Sequence, residues 1–222
     1  MRLSVIIPVL NEEKTIEEIL SRVLTQKEVS EVVVVDDGST DKTRVIVESV
    51  KDPRVKIFSH IKNQGKGAAI RTGIANVSGD FMIIQDADLE YDPKEYHGHL
   101  DIASEKTVVY GSRLKTNNPR AYFLTYLGNV VLTKLANFFF GLNLTDSYTC
   151  YKLLPVKIAK GLSLSSSGFE IEAEITAKLG KTRVPVIEIP ISYQPRGYKA
   201  GKKIKFRDAV LGAWTLLKIR LT

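Results

Sequence analysis

The regular alternation of apolar, β-branched segments with helical segments in the first half of the chain limits the fold more than any other feature. Strands are predicted at Leu3–Val9, Val32–Val35, Val55–Phe58 and Phe81–Ile84. These strands are mostly apolar on both faces, and a helical segment follows each of the first three. Repeats of this length are typical of a parallel sheet that is covered by helices. The sequence therefore predicts an α/β, Rossmann-like fold with a mostly parallel sheet.

The second half of the chain is less regular but continues the same architecture. Its predicted elements are a short strand at Val108–Tyr110, a long helix at Ala121–Phe140, a helix near Phe169–Leu179, a strand around Val184–Tyr193 and a final helix at Phe206–Leu221. No internal repeat, low-complexity tract or linker separates the halves. We therefore expect residues 1–222 to form a single domain that buries its own core.

Cysteine content and hydropathy indicate the compartment. Cys150 is the single cysteine of the 222 residues, which excludes an internal disulfide framework and indicates a reducing environment. No uncharged apolar run reaches the length of about 18 residues that predicts a membrane-spanning helix. The first apolar segment is interrupted by Pro8 and followed at once by acids, so we predict no signal peptide and expect a cytoplasmic protein.

Positive charge is concentrated near one end of the chain. The formal net charge is +7, and residues 196–222 contain eight basic side chains but a single acid, Asp208. A second segment, Thr107–Thr145, contains no Asp or Glu. Both segments are suited to contact anions such as phosphate groups or an anionic membrane surface.

Polar side chains, most of them acidic, follow three of the four predicted strands in the first half. They are Asn11 and Glu12 after the first strand, Asp36 and Asp37 after the second, and Asp86, Asp88 and Glu90 after the fourth. Because the carboxyl ends of parallel strands meet at one edge of a sheet, we expect these side chains to line one crevice. Asp86 and Asp88 can share one Mg²⁺ or Mn²⁺ ion there. A nucleic-acid-binding protein would explain the basic tail but not these acids, so we expect no nucleic-acid partner.

Motifs spread along nearly the whole chain resemble those of one enzyme family. They are Ile7-Pro8-Val9-Leu10-Asn11-Glu12, Val35-Asp36-Asp37-Gly38-Ser39-Thr40-Asp41, Asn63-Gln64-Gly65-Lys66-Gly67-Ala68-Ala69, Ser78-Gly79-Asp80, Asp86-Ala87-Asp88-Leu89, Gly111-Ser112-Arg113, Leu144-Thr145-Asp146 and Gly168-Phe169-Glu170-Ile171-Glu172. The chain resembles family 2 glycosyltransferases with the GT-A fold, and within them the dolichyl- or polyprenyl-phosphate mannose and glucose synthases. The resemblance implies an inverting transfer of a hexose from a UDP- or GDP-sugar to a polyprenyl phosphate, with Mg²⁺ or Mn²⁺ as cofactor.

The resemblance also implies roles for particular residues. The donor-binding residues would be Pro8, Leu10, Glu12, Asp37 or Asp36 at the base, Lys66, Asp86, Ala87, Asp88, Arg113, Arg196 and Lys202. The metal would be held by Asp86, Asp88 and Glu90, and the acceptor phosphate by Arg113 and Arg120. The catalytic residues would be Asp88, Arg113 and Asp146. Residues 1–112 would then bind the nucleotide sugar, and residues 113–222 the acceptor.

The long helix at Ala121–Phe140 leaves two interpretations open. It carries one charge and ends in three phenylalanines, so it is either mostly buried or lies on a bilayer with its aromatic end inserted. The membrane interpretation places the protein peripherally on the inner, cytoplasmic face of the membrane. The alternative is a soluble family 2 enzyme with a saccharide or other polar acceptor, for which Asp146 is the candidate base. We expect His60, His97 and His99 at the surface, away from the strand ends.

Overall fold

Seven strands form one mixed sheet in the part of the chain that the computed structural model describes, residues 1–119, 123–196 and 206–222. The strands are β1 (Leu3–Val9), β2 (Val29–Asp36), β3 (Val55–Ser59), β4 (Phe81–Ile84), β5 (Val108–Ser112), β6 (Lys152–Pro155) and β7 (Val186–Pro190). Their order across the sheet is β3-β2-β1-β4-β6-β5-β7. β6 runs antiparallel to both of its neighbours, β4 and β5, and the other neighbouring strands are parallel.

Helices connect the strands and cover the sheet. They are α1 (Ile16–Leu24), α2 (Thr43–Ser49), α3 (Lys66–Asn76), α4 (Tyr96–Asp101), α5 (Phe123–Phe140), α6 (Val156–Gly161), α7 (Ile171–Thr182) and α8 (Phe206–Leu221), with a 3-10 turn at Pro93–Glu95 before α4. The side chains of β1 and β2 are mostly apolar and almost wholly buried, because both faces of these central strands are covered. The prediction of a single α/β domain with a mostly parallel sheet is confirmed.

β6 and the short helices α4 and α6 are absent from the sequence prediction. β6 has four residues, and two of them, Lys152 and Pro155, are uncommon in the interior of a sheet. Lys152 is nevertheless fully buried. Because β6 is short and contains a charged residue and a proline, its sequence does not predict a strand. Its neighbours β4 and β5 are apolar and were predicted.

A second, smaller apolar core lies between α7 and the pair of helices α5 and α8, which pack together through it. One face of α7 contributes Ile171, Ile175 and Leu179 to the main core, which also contains the apolar side chains of the sheet. The second core consists of Ala173 and Ala177 on the other face of α7, Leu132 and Ala136 of α5, and Leu216 of α8. Helices α5 and α8 therefore form an outer layer on top of α7.

The faces of α5 and α8 that point away from α7 carry exposed apolar side chains. They are Leu127, Val131 and Phe138 on α5 and Val210, Trp214 and Leu221 on α8, each between 45% and 81% exposed. Each set recurs at helical spacing and forms one stripe along its helix. We name the two stripes together the outer apolar surface.

Two polar side chains of α5, Thr133 and Asn137, face inward. Thr133 is buried and shares a hydrogen bond with Ser147 (2.9 Å), and Asn137 exchanges two hydrogen bonds with the backbone of Leu144 (2.8 and 3.0 Å). Phe139 and Phe140 pack against the second core, so only part of the aromatic end of α5 is exposed. Residues 121 and 122 of the predicted helix lie outside the described residues. Within the described ranges, no helix has the length and hydropathy that crossing a bilayer requires.

Candidate active site

The loops at the carboxyl ends of β1, β2 and β4 meet at one edge of the sheet. The loop after β1 is joined to the loop after β2 by a hydrogen bond from Asn11 N to Ser39 Oγ (2.9 Å). Arg196 connects this pair to the loop after β4, because its guanidinium contacts both Glu12 and Asp88 at 3.0 Å. The structure therefore brings acidic residues from different strand ends to one crevice, as the geometry of parallel strands requires.

The loop after β4 carries three carboxylates, and the charges of two of them act on the third. Burial, followed by the charges of Asp86 and Glu90, raises the pKa of Asp88 to about 7. Burial also acts to raise the pKa of Asp86, but the charge and hydrogen bond of Lys66, with smaller effects of Cys150 and Arg196, together lower that pKa below its usual value. The raised pKa of Asp88 reflects its burial beside two other acids, an arrangement that a nearby cation would stabilise.

Within the described part of the chain, two cations contact this cluster, and Arg196 is the first. Its Nη2 atom donates to Asp88 Oδ2 (3.0 Å), its Nη1 atom to Glu12 Oε2 (3.0 Å), and its backbone N–H to Glu90 Oε1 (2.8 Å). The other carboxylate oxygen of Glu90 accepts a hydrogen bond from the Tyr193 hydroxyl (2.7 Å). Glu90 therefore holds the chain segment that carries Arg196 against the crevice.

Lys66 is the second cation. Its Nζ atom lies 2.8 Å from Asp86 Oδ1 and 3.3 Å from Glu172 Oε1. The other oxygen of Glu172 accepts a hydrogen bond from Lys152. These side chains form a row of alternating charges, Lys152–Glu172–Lys66–Asp86, which we name the charge row. No role was expected for Glu172 or Lys152 from the sequence, although Glu172 stands in one of the quoted motifs.

Glycines at the start of α3 allow the loop before α7 to pack against Lys66. Gly65 has a φ of +99°, which favours glycine, and a Cβ atom at Gly67 would lie 2.6 Å from the carbonyl oxygen of Ser166. The same loop brings the ring of Phe169 to 5.8 Å from Lys66 Nζ. Close backbone packing thus positions the Lys66 ammonium at the crevice.

Asp36 and Asp37, the candidates for contact with the base, are both almost fully buried. Asp37 accepts hydrogen bonds from the backbone N–H groups of Gln64 (2.9 Å) and Gly65 (2.7 Å). Its Oδ1 atom also lies 2.6 Å from His60 Nδ1. Asp37 therefore holds the loop after β3 against the crevice.

Two of the three histidines are not surface residues, so that expectation was wrong. His60 contacts Asp37 and is mostly covered, with 12% of its side chain exposed. His99 is fully buried, and its Nδ1 atom lies 2.8 Å from the carbonyl oxygen of Glu95. His97 is exposed, as expected. A histidine ring suits either environment once a ring nitrogen has a partner, and sequence alone does not reveal that partner.

Arg113, which follows β5, is held in a buried ion pair. Its Nε and Nη2 atoms donate to the two carboxylate oxygens of Asp146 at 2.7 and 2.8 Å. Burial acts to raise the pKa of Asp146, but the charge and hydrogen bonds of Arg113, with the charge of Lys152, together lower that pKa below its usual value. The Arg113 guanidinium also lies 5.2 Å from the ring centre of Tyr193, whose hydroxyl bonds Glu90, so the pair borders the acid cluster. A carboxylate with a lowered pKa is a poor proton acceptor.

The remaining predicted site residues are placed as follows. Pro8 and Leu10 are half-buried at the end of β1, and Ala87 is buried between the two aspartates of its motif. Arg120 and Lys202 lie outside the described residues.

The sheet and the crevice at its carboxyl edge define the GT-A class of glycosyltransferase folds. The solved structure of glucosyl-3-phosphoglycerate synthase from Mycobacterium tuberculosis, in complex with Mn²⁺, UDP and glucosyl-3-phosphoglycerate, matches with a TM-score of 0.74. The match covers 98% of this chain and 79% of that chain at 20% sequence identity, and it shows the shared fold.

The family is shown by the sequence. Residues 4–162 match the model for glycosyl transferase family 2, and the chain belongs to that family. It is 29% identical over 202 residues to the low-salt glycan biosynthesis hexosyltransferase Agl6 of Haloferax volcanii, and 30% identical over 208 residues to a dolichol-phosphate mannosyltransferase of Pyrococcus furiosus. Each match covers 87% of this chain but only 48% and 56% of those proteins, so the chain spans about half the length of these relatives. The resemblance noted from the motifs is confirmed.

Proposed function

We propose that the protein transfers a hexose from a UDP- or GDP-sugar to a polyprenyl phosphate at a membrane surface, with inversion at the anomeric carbon. The observation that carries this proposal is the crevice in which Asp86, Asp88 and Glu90 meet the cations Lys66 and Arg196. Transfer from a sugar diphosphate leaves a diphosphate anion, which a metal-binding acid cluster and nearby cations stabilise together. Similarity to a protein named dolichol-phosphate mannosyltransferase supports the lipid acceptor.

Asp86 and Asp88 are the proposed ligands of Mg²⁺ or Mn²⁺, with Glu90 beside them. In the described residues, no three His, Cys, Asp or Glu side chains are grouped as a preformed metal cage. Such a cage is not required, because Mg²⁺ commonly binds one or two carboxylates together with phosphate oxygens and water. The raised pKa of Asp88 fits this donor set, since a divalent cation relieves repulsion between neighbouring carboxylates. When bound, the metal supplies Lewis-acid stabilisation of the departing diphosphate.

Residues 1–112 are proposed to bind the nucleotide-sugar donor. The nucleoside side would be formed by Pro8, Leu10, Glu12 and Ala87, with Asp36 or Asp37 at the base. Lys66 and Arg196 would exchange part of their contact with carboxylates for contact with the diphosphate, joined by Lys202. At an effective dielectric constant of roughly 20, one contact between unit charges about 4 Å apart is worth about 4 kcal/mol. The contact of each cation with the diphosphate would therefore contribute substantially to the free energy of donor binding.

Residues 113–222 are proposed to bind the acceptor, with its phosphate at Arg113 and Arg120. A lipid phosphate is already an anion at neutral pH, so its oxygen needs orientation more than it needs a general base. A saccharide hydroxyl would instead need a carboxylate whose pKa lies near the working pH. The Arg113 ion pair lowers the pKa of Asp146, the candidate base, and this favours the lipid phosphate.

A panel of donors and acceptors tests the proposed activity. The purified protein is incubated with Mn²⁺ and UDP- or GDP-hexoses, with and without a polyprenyl phosphate. We expect a glycosylated lipid and free nucleoside diphosphate only when one matching donor and the lipid are both present, and neither in excess EDTA. Transfer to a soluble saccharide in the absence of lipid would establish the alternative acceptor. Full activity in EDTA would exclude the metal.

The outer apolar surface is proposed to lie on the cytoplasmic, inner face of a membrane. It consists of apolar side chains that the rest of the described chain leaves exposed. Arg207, Lys218 and Arg220 of α8 and Lys134 of α5 are exposed on the same two helices. Apolar burial combined with attraction to anionic lipids is how interfacial helices bind bilayers.

Changing Leu127, Val131, Phe138 and Trp214 to serine is expected to release the protein from liposomes that contain anionic lipid. Each apolar side chain removed from water contributes roughly 1.5–3 kcal/mol, so losing four removes most of the apolar attraction. These side chains are exposed in the protein, so the circular dichroism spectrum should not change. Co-sedimentation with liposomes at low and high salt measures the effect.

A matched control uses exposed apolar residues outside the outer apolar surface. Val45 and Ile61 are 68% and 103% exposed, and their change to serine should leave liposome binding intact. Phe139 and Phe140 are left unchanged because they pack against the second core. A folded fourfold variant that still co-sediments would show that the protein does not use this surface on membranes.

A further inference from the structure

Lys66 lies between two carboxylates that differ in accessibility. Asp86 Oδ1, 2.8 Å from Lys66 Nζ, belongs to a side chain that is 22% exposed at the crevice. Glu172 Oε1, 3.3 Å away on the other side, is buried and accepts no hydrogen bond within the described part of the chain. Lys66 therefore has one partner that a ligand can reach and one that it cannot.

Lys152 fixes the orientation of the buried partner. Its ammonium is fully buried on β6, where it donates to Glu172 Oε2 and to the carbonyl oxygen of Thr149, and it lies 5.0 Å from the ring centre of Tyr110. A buried lysine is costly unless it is paired. Because Lys152 occupies Oε2, the remaining oxygen of Glu172 is directed at Lys66.

We infer that Glu172 is a positioning residue. It becomes the main ion-pair partner of Lys66 when a divalent cation binds Asp86. The inference rests on the proposed metal-dependent function. A metal ion on Asp86 occupies the carboxylate that Lys66 now contacts and repels its ammonium. Without a second partner, Lys66 would compete with the metal for Asp86. Glu172 Oε1 offers that partner 3.3 Å away, so Lys66 stays paired at the edge of the crevice.

Binding of Mn²⁺ alone, measured by calorimetry or by the electron paramagnetic resonance of free Mn²⁺, tests this role without any transfer reaction. Glu172→Gln keeps the shape of the side chain and removes its charge. We expect its Mn²⁺ affinity to fall by about 10–100-fold, the usual effect of losing a group that supports a metal ligand. Lys66→Met removes the competitor for Asp86 and should bind Mn²⁺ at least as tightly as the unmodified protein.

The combination of both changes separates positioning from a general structural effect. In the Lys66→Met background, Glu172→Gln has no lysine to reposition, so the double variant should match Lys66→Met within about twofold in Mn²⁺ affinity. An equal loss of affinity in both backgrounds would overturn the inference. So would an unchanged affinity in Glu172→Gln when the unmodified protein binds Mn²⁺. Absence of Mn²⁺ binding by the unmodified protein, both alone and with UDP or GDP added to supply phosphate oxygens, would overturn the proposed metal site, and the inference with it.

Two further variants control for folding. Glu172→Gln leaves Lys152 without its carboxylate, so Lys152→Met/Glu172→Gln, which removes both charges, should melt higher than Glu172→Gln and show the same weakened Mn²⁺ binding. Glu31 is another buried glutamate, paired with Lys56 at 2.6 Å near the amino ends of β1 and β2. Glu31→Gln should lower the melting temperature but leave Mn²⁺ affinity unchanged. A similar loss of affinity in Glu31→Gln would show that any buried charge change weakens the site, and would overturn the inference.

Discussion

Replacing Asp88 by asparagine is expected to lower turnover by at least about a thousandfold, equivalent to roughly 4 kcal/mol of lost transition-state stabilisation. The change removes the charge of a proposed metal ligand without changing its volume. Burial and the neighbouring carboxylates of Asp86 and Glu90 already raise the pKa of Asp88 to about 7, so a neutral side chain is tolerated at this position. The melting temperature should therefore be unchanged or slightly higher.

Asp80→Asn is the matched control for Asp88→Asn. Asp80 precedes β4, whereas Asp88 follows it, and Asp80 is 47% exposed in a pair with Arg2 (3.2 Å). Its change should leave both turnover and Mn²⁺ affinity within about twofold, because exposed pairs contribute little. Turnover and metal affinity are measured on both variants. Unchanged turnover in Asp88→Asn would contradict the assignment of this residue to the metal.

Replacing Arg113 by methionine is expected to destabilise the protein by about 3–5 kcal/mol, because it leaves a buried carboxylate without its partner. Asp146 has 2% of its side chain exposed, so water does not replace the lost guanidinium. For a domain of this size, the loss corresponds to a melting temperature lower by roughly 6–20 °C. Thermal unfolding at neutral pH measures it.

The effect of Arg113→Met should depend on pH with a defined sign. In the unmodified protein the pKa of Asp146 is lowered, so its contribution to the free energy of unfolding is present above the usual Asp pKa and is lost as the pH falls through the lowered value. In the variant, the guanidinium of residue 113 no longer opposes burial, so that pKa rises. The variant then regains stability as the pH falls through the raised value, and the difference between the two proteins should shrink at mildly acidic pH.

Removing both members of the pair separates stability from activity. Arg113→Met/Asp146→Leu replaces a buried ion pair by apolar side chains, a change that is often neutral or stabilising. We expect it to recover most of the lost stability but none of the transfer to a lipid phosphate, since the proposed contact with the acceptor phosphate is gone. Transfer at the normal rate by this stable double variant would show that Arg113 has a structural role only.

The strands of the first half could be predicted because their continuous apolar residues indicate burial on both faces of a sheet. Phe81–Ile84 has the same ends in the prediction and in the structure, since four apolar residues are bounded by polar ones. β6 could not be predicted in this way. Lys152 is buried there because its ammonium pairs with Glu172, which is 20 residues away in the sequence, and donates to the carbonyl oxygen of Thr149. Composition indicates which residues avoid water, but not which charged residues find a partner.

The candidate site could be predicted in part for the same reason. Acids that follow parallel strands must meet at one edge of the sheet, so the positions of Asp86 and Asp88 in the sequence are enough to place them in the crevice. Their partners depend on distances between segments that are far apart in sequence. The contact of Asp88 with Arg196 spans 108 residues, and that of Asp86 with Lys66 spans 20. The sequence therefore predicts which charged residues line the crevice, but not which of them form ion pairs.

β6 makes the two halves of the chain inseparable as folding units. It belongs to residues 113–222, yet it lies between β4 and β5, which belong to residues 1–112. A fragment that ended at residue 112 would lose both neighbours of β5, which are β6 and β7, and would expose unpaired backbone along β4. Chimaeras of two relatives that are joined at residue 112 would therefore exchange an interior strand. Modular exchange within this fold is better made in the outer layer of α5 and α8, which contributes no strand to the sheet.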